Sequence, residues 1–282
     1  MHFLKTTFLL ALLTGLLVAV GQLVGGTSGA IVFLIIAGFM NFFAFWFSDR
    51  FALAMAGARE ITEAEDPRLY ALVREVANLA GLPMPRVYVV DTPTPNAFAT
   101  GRSPKKAVVA VTTGIRRLLT ERELRAVIGH ELGHIKNRDI LTSSIVATIA
   151  GAIQLIAQVL MFSSLFGGRR DQQNPFLVLI AILIAPLAAT LIQLGISRTR
   201  EFAADKAGAE ITHDPEALAS ALLKLERGVQ MMPMEPNPRN EAVSPLYIVH
   251  PFAGGGLANL FSTHPPIEER VRRLRQMAGL IR

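Results

Sequence analysis

Between Lys5 and Asp49 the chain carries no charged residue, and a second charge-free stretch runs from Ile140 to Gly168. Nothing else restricts the fold as strongly, because a helix in water keeps at least one polar face. The first stretch is broken at Gly25-Gly26-Thr27-Ser28-Gly29. That break predicts two helices, at about 6–24 and 30–48, each near the roughly 20 residues that cross a bilayer. A second pair is expected at about 140–166 and 175–197, split by Gly167-Gly168-Arg169-Arg170-Asp171. The expected fold class is an α-helical integral membrane protein with four transmembrane helices. A cleaved signal peptide competes for the first stretch, since Lys5 precedes it and Ala19-Val20-Gly21 offers a small-x-small site. The apolar run is longer than a signal core and a second run follows at once, so a retained span is the better reading.

Two hairpins divide the chain into a first hairpin (1–49), a head segment (50–139), a second hairpin (140–197) and a second head segment (198–282). The side bearing both head segments holds 26 of the 28 Lys and Arg, and only Arg169 and Arg170 fall on the other. The positive-inside rule then puts both termini and the head in the cytoplasm, the cytoplasmic membrane being the expected location. The net charge of +6 is read as topology plus attraction to the lipid bilayer, not as nucleic-acid binding. With no cysteine, disulfides and thiolate metal ligands are excluded.

The head reads as mainly α, with a small sheet. Asp66-Pro67 opens an amphipathic helix that reaches Leu79, and Gly81 and Pro83 stop it. Short strands are expected at 87–90, 96–100 and 107–112, the last two joined across Gly101-Arg102-Ser103-Pro104. Thr120 and Glu123 form a capping box, and the helix they start is expected to run with little break into the third span. Another helix covers 215–227, a mobile loop rich in Pro and Gly follows at 228–256, and an amphipathic helix with Ile267, Val271 and Leu274 inward covers 267–278.

The helix behind the capping box carries His130-Glu131-Leu132-Gly133-His134. Residues four apart share a helix face, so both imidazoles can grip one metal ion while Glu131 stands beside it. Chance alone gives on the order of 0.01 such motifs in a chain of this composition, so the match carries weight. A catalytic zinc takes three protein ligands and a water. His134 precedes the third span by six residues, and Glu201 follows the fourth by four. At 1.5 Å per residue those are about 9 and 6 Å of helix, so a membrane hairpin returns Glu201 to the height of the histidines. Asp205, one turn further, is placed to hold a ligand imidazole. One Zn²⁺ per chain is expected, with Glu131 as general base toward the attacking water. His264, in Ser262-Thr263-His264-Pro265-Pro266, is the candidate donor to the oxyanion of a peptide-cleavage step.

His130-Glu131-Leu132-Gly133-His134, Ser197-Arg198-Thr199-Arg200-Glu201-Phe202-Ala203-Ala204-Asp205 and Ser262-Thr263-His264-Pro265-Pro266 together resemble the HtpX family of membrane zinc metalloproteases. The resemblance extends over essentially the whole chain. It implies a zincin-like head of the gluzincin type, with Glu201 as third zinc ligand, acting on misfolded or damaged membrane proteins. It also implies that Asn96, Ala97, Phe98 and Ala99 form an edge strand that takes extended polypeptide substrates by β-augmentation. Phe202 stands where the family often has Tyr, which keeps the ring and leaves the zinc assignment intact. The related CAAX prenyl proteases share the zinc motifs but have more spans, which argues against that substrate class.

Two other classes compete for the same sequence features. A non-catalytic zinc-containing membrane scaffold or holdase needs neither a general base nor an open coordination position, so Glu131 and His264 speak against it. A transporter is expected to carry ionisable groups within its spans, and these spans have none.

Overall fold

The structure is a computed structural model that describes residues 2–145, 198–252 and 265–280. The expected third and fourth spans lie outside the described residues, apart from a helical start at 140–145.

Helix α1 covers His2–Ala56. As a straight rod it would hold Leu10 and Asn41 about 46 Å apart. Instead the Asn41 amide nitrogen donates to the Leu10 carbonyl at 3.2 Å and to Thr14 Oγ1 at 2.8 Å. The chain turns back at Gly26, whose φ of 57° suits a residue without Cβ. Beside that turn the Gly21 and Gly29 backbones touch, leaving no room for a side chain between them. The reversal falls inside the expected glycine break. The second arm, however, does not stop at Ser48 but continues to Ala56, and Gly26–Ala56 is long and apolar enough to cross a membrane. Sequence punctuation placed the end too early because Asp49 is a charge inside a helix, and it is buried against the head.

The four-stranded sheet has the order β1 (Ala58–Glu60), β2 (Arg86–Val90), β4 (Val108–Thr112), β3 (Ala97–Thr100). β2 and β4 are parallel, while β1 and β3 pair antiparallel at the two edges. Strand side chains alternate between faces, and here both faces are covered. Val87, Val109, Val111, Ala97 and Ala99 pack on α2 (Pro67–Ala80) and α4 (Glu121–Lys136) in the main core. Tyr88, Phe98, Val108 and Ala110 face the other way, onto Ala52 and Leu53 of α1 and onto Leu246 and Tyr247. The last turns of the membrane-length arm are therefore part of the head's own packing.

Between β4 and α4 lies a short helix, α3 (Thr113–Leu118), started by the Thr112 hydroxyl accepting from Ile115 N–H. α4 begins on the predicted capping box of Thr120 and Glu123. It does not run on toward residue 140: Arg138 adopts φ 59°, and the helix breaks over 137–139. After the undescribed segment come α5 (Arg198–Thr212), α6 (Pro215–Met231), α7 (Pro238–Val243) and α8 (Ile267–Met277). The stretch expected as a loop over 228–256 carries regular structure within its described part, the end of α6, α7 and a 3-10 turn at Ser244–Leu246, and 253–256 lie outside the described residues. Its anchor is Asn96, whose amide bonds the Val249 backbone in both directions at 2.7 and 3.3 Å.

Candidate metal centre

Helices α4 and α5 approach so closely because glycines line the seam. A Cβ on Gly208 would lie 2.6 Å from the His130 backbone nitrogen, and one on Gly133 would lie 2.9 Å from the Ala204 carbonyl. A Cβ on Gly129 would lie 2.6 Å from the Thr212 methyl and 3.2 Å from the Gly208 carbonyl. Backbone contact at that range carries residues of both helices into one cluster. His130, His134 and Glu201 offer three ligand atoms that all lie within 4.8 Å of one another.

Each imidazole faces Glu201 with one ring nitrogen and a second carboxylate with the other. His130 Nδ1 lies 2.9 Å from Asp205 Oδ1, and its Nε2 faces Glu201 Oε2 at 3.7 Å. His134 Nδ1 faces Asp139 Oδ2 at 3.6 Å, and its Nε2 faces Glu201 Oε1 at 3.5 Å. The Asp205 carboxylate behind His130 Nδ1 fixes the tautomer that leaves Nε2 as a lone-pair donor, whereas His134 Nδ1 stands too far from Asp139 for a hydrogen bond. His130 Nε2 is buried and has no hydrogen-bond partner. A buried ring nitrogen without a partner, aimed at a carboxylate too distant to bond it, fits a cation between them. Burial lowers the His130 pKa despite Asp205, which keeps the ring neutral as a ligand must be. Burial acts the same way on His134, yet the charges of Glu201 and Asp139 outweigh it and the pKa is raised.

Glu131 stands beside this cluster. Burial pushes its carboxyl up to about 8, with Glu201 adding to the rise and His134, Arg270 and the Ala99 N–H opposing it. Its Oε1 is buried without a hydrogen-bond partner. Behind Asp205 sits Arg270 of α8, fully buried, which donates from Nε at 2.8 Å and Nη2 at 2.6 Å to the two carboxylate oxygens. Burial would raise the Asp205 pKa, but this guanidinium holds it below the usual range. Arg270 also donates to the Ile248 carbonyl at 2.9 Å and lies 3.8 Å from Glu201.

Asn96 immediately precedes β3, and Ala97, Phe98 and Ala99 belong to it. In the antiparallel pairing with β4, Phe98 turns its backbone groups inward while Ala97 and Ala99 turn theirs to the outer edge. That edge is in use: the Ala97 carbonyl accepts from Ile248 N–H at 3.1 Å, and the Ala99 N–H serves Glu131. His264 lies outside the described residues. The sequence reading missed Arg270, Asp139 and the three seam glycines. A signal for Arg270 was present, since it falls on the apolar face of its own helix, between Ile267 and Leu274.

Residues 63–278 match Peptidase family M48. The chain belongs to that family. Full-length M48 relatives are close: Protease HtpX homologs of Methylibium petroleiphilum and Burkholderia mallei are each 50% identical to it. The first match covers 98% of both chains, and the second covers 98% of this chain and 97% of the relative. This is an HtpX-type metalloprotease, a hydrolase of peptide bonds. Among solved structures, S. mikatae Ste24p is similar at TM-score 0.49 and 17% identity. That similarity covers 96% of this chain and 65% of Ste24p.

Proposed function

We propose that this M48 protease is a zinc-dependent endopeptidase of the bacterial cytoplasmic membrane whose clients are misfolded or damaged membrane proteins. One observation carries the catalytic reading: Glu131 Oε1 is buried and unpartnered beside three convergent ligand atoms. A structural metal site has no use for such a group.

In this reading His130, His134 and Glu201 hold the zinc, which supplies Lewis acidity toward water and the scissile carbonyl. Glu131 takes the proton of the attacking water on Oε1 and returns it to the leaving amine. Asp205, braced by Arg270, keeps His130 Nδ1 protonated so that Nε2 remains a donor to the metal. His264, two residues ahead of the Pro266 cap of α8, donates to the oxyanion. An extended client pairs along β3 at Asn96–Ala99, and to use Ala97 it must displace Ile248 from that carbonyl.

Four spans at about 6–24, 30–48, 140–166 and 175–197 anchor the enzyme, with both termini and the head in the cytoplasm. The distribution of Lys and Arg supports that orientation. Labelling of a Ser103→Cys variant from outside intact cells would overturn it. The catalytic reading is tested by metal analysis of the purified enzyme and by cleavage of an unfolded membrane protein. Glu131→Gln should retain zinc while turnover drops by roughly 10²–10⁴-fold. Near-normal turnover in that variant would sink the mechanism.

A further inference from the structure

A cavity of about 650 Å³ opens where the second arm of α1 meets the turn that joins β3 to β4. Its wall is formed by Trp46 and Arg50 of α1, by Arg86 of β2, and by Arg102, Lys105 and Lys106 of the turn. Asp49 is the only acid lining it, and that carboxylate faces Arg86 at 4.0 Å. Among the described residues no ion pair engages Arg50, Arg102, Lys105 or Lys106, so the cavity keeps a positive excess. Arg102 lies over the Trp46 ring at 4.7 Å, and its Nε is buried with no hydrogen-bond partner. The turn is tight enough to present these cations together. Gly101 has φ 135°, and a Cβ there would lie 2.5 Å from the Lys106 carbonyl.

The height of the cavity points to its ligand. Twenty residues of helix from Gly26 to Trp46 span about 30 Å, the thickness of a bilayer's hydrocarbon core. Phe39, Phe42, Phe43 and Trp46 are all about half exposed or more along this arm. Tryptophan is favoured at the bilayer–water boundary, and cations just beyond it meet phosphates. A volume of this size lies within the range of small-ligand pockets, roughly 300–1,000 Å³.

We propose that this cavity binds the phosphate headgroup of an anionic phospholipid, with the acyl chains lying along the exposed phenylalanines of α1. Arg102 donates through its unpartnered Nε, Lys105 and Lys106 neutralise the phosphate, and the Trp46 ring fixes the Arg102 plane. The inference rests on reading α1 as membrane-spanning but is independent of the metal centre.

Trp46 is the single tryptophan of the chain, so its fluorescence reports on the cavity alone. The experiment titrates the full-length protein in neutral detergent with phosphatidylglycerol or phosphatidylcholine carrying brominated acyl chains, which quench a nearby indole. Phosphatidylglycerol should quench at about tenfold lower concentration. Combined Arg102→Gln, Lys105→Gln and Lys106→Gln should abolish that preference, a loss of about tenfold. A control with Arg68→Gln, Arg117→Gln and Arg239→Gln, exposed positions elsewhere on the head, should keep it. Equal quenching by both lipids in the wild type would overturn the proposal. So would an equal loss in the control, which would mean diffuse attraction. Displacement of the lipid by equimolar glycerol 3-phosphate would mean a soluble-anion site instead. No quenching by either lipid would remove α1 from the bilayer and the site with it. Failure of the protease reading would show separately, in zinc content and cleavage.

Discussion

Arg270 grips both carboxylate oxygens of Asp205, at 2.6 and 2.8 Å, from a helix 65 residues away in sequence. Both side chains are buried, and Asp205 in turn holds His130 Nδ1 at 2.9 Å. Removing one partner of a buried pair strands the other charge, which costs about 3–5 kcal/mol. Arg270→Leu is therefore expected to destabilise the head by that amount and to weaken metal binding together with it. Arg270→Lys should fall between, because an ammonium cannot reproduce the two-pronged contact. Denaturation curves and metal titrations of the two variants check this, and wild-type metal affinity in Arg270→Leu would break the link to His130.

Glu201 and Asp205 should separate cleanly when zinc is measured. Glu201→Ala removes a proposed ligand, so zinc occupancy and activity are expected to fall together. Asp205→Ala leaves all three ligands and should lower affinity by roughly 10–100-fold. Full zinc in purified Glu201→Ala would place the third ligand elsewhere in the chain.

The α4–α5 seam tolerates no side chain at Gly208, where a Cβ would stand 2.6 Å from the His130 nitrogen. Gly208→Val must push the helices apart, at about 1–3 kcal/mol for an overpacked core. Because His130 and His134 are on one helix and Glu201 on the other, metal affinity should drop as well. Calorimetry with and without zinc reads both effects. A variant that melts early but binds zinc normally would show that the seam sets stability only.

Acid should loosen the junction of α4 and α6. Burial alone would raise the Glu123 pKa, but Lys224, Ser220 and Thr120 hold it down to about 2. A carboxylate depressed in the folded state adds stability above its unfolded pKa near 4.5 and loses it as pH falls toward 2. Allowing for the solvent around half-exposed Lys224, the contribution at neutral pH is about 2 kcal/mol. The stability gap between wild type and Glu123→Gln should thus be largest at pH 7 and close by pH 2–3, and a gap independent of pH would contradict the assignment.

Much of this was legible in the chain. Features written in consecutive residues came through: the capping box at Thr120 and Glu123, the reversal near Gly26, and the pairing of His130 with His134. Features made by distant segments did not. Gly129, Gly133 and Gly208 read singly as weak helix residues, and only the partner backbone reveals why no side chain is there. Arg270 reads as one more cation in a basic helix until Asp205 is seen behind it. β1 is too short for alternation to signal a strand, and the break at 137–139 depends on Arg138 adopting a conformation that few residues other than glycine take.

The continuation of α1 past Ser48 to Ala56, ending against Tyr88, Phe98 and Ala110, leaves no linker between the membrane-length arm and the sheet. With the arm in a bilayer, the head cannot swing toward or away from the lipid as a tethered domain would. β3 and the metal centre then stand at one altitude, fixed by helix rise. Under the proposed membrane placement and client class the enzyme would act as a ruler: a membrane-embedded chain would be reached only where it has emerged far enough to meet that altitude, and segments still within the lipid would be spared.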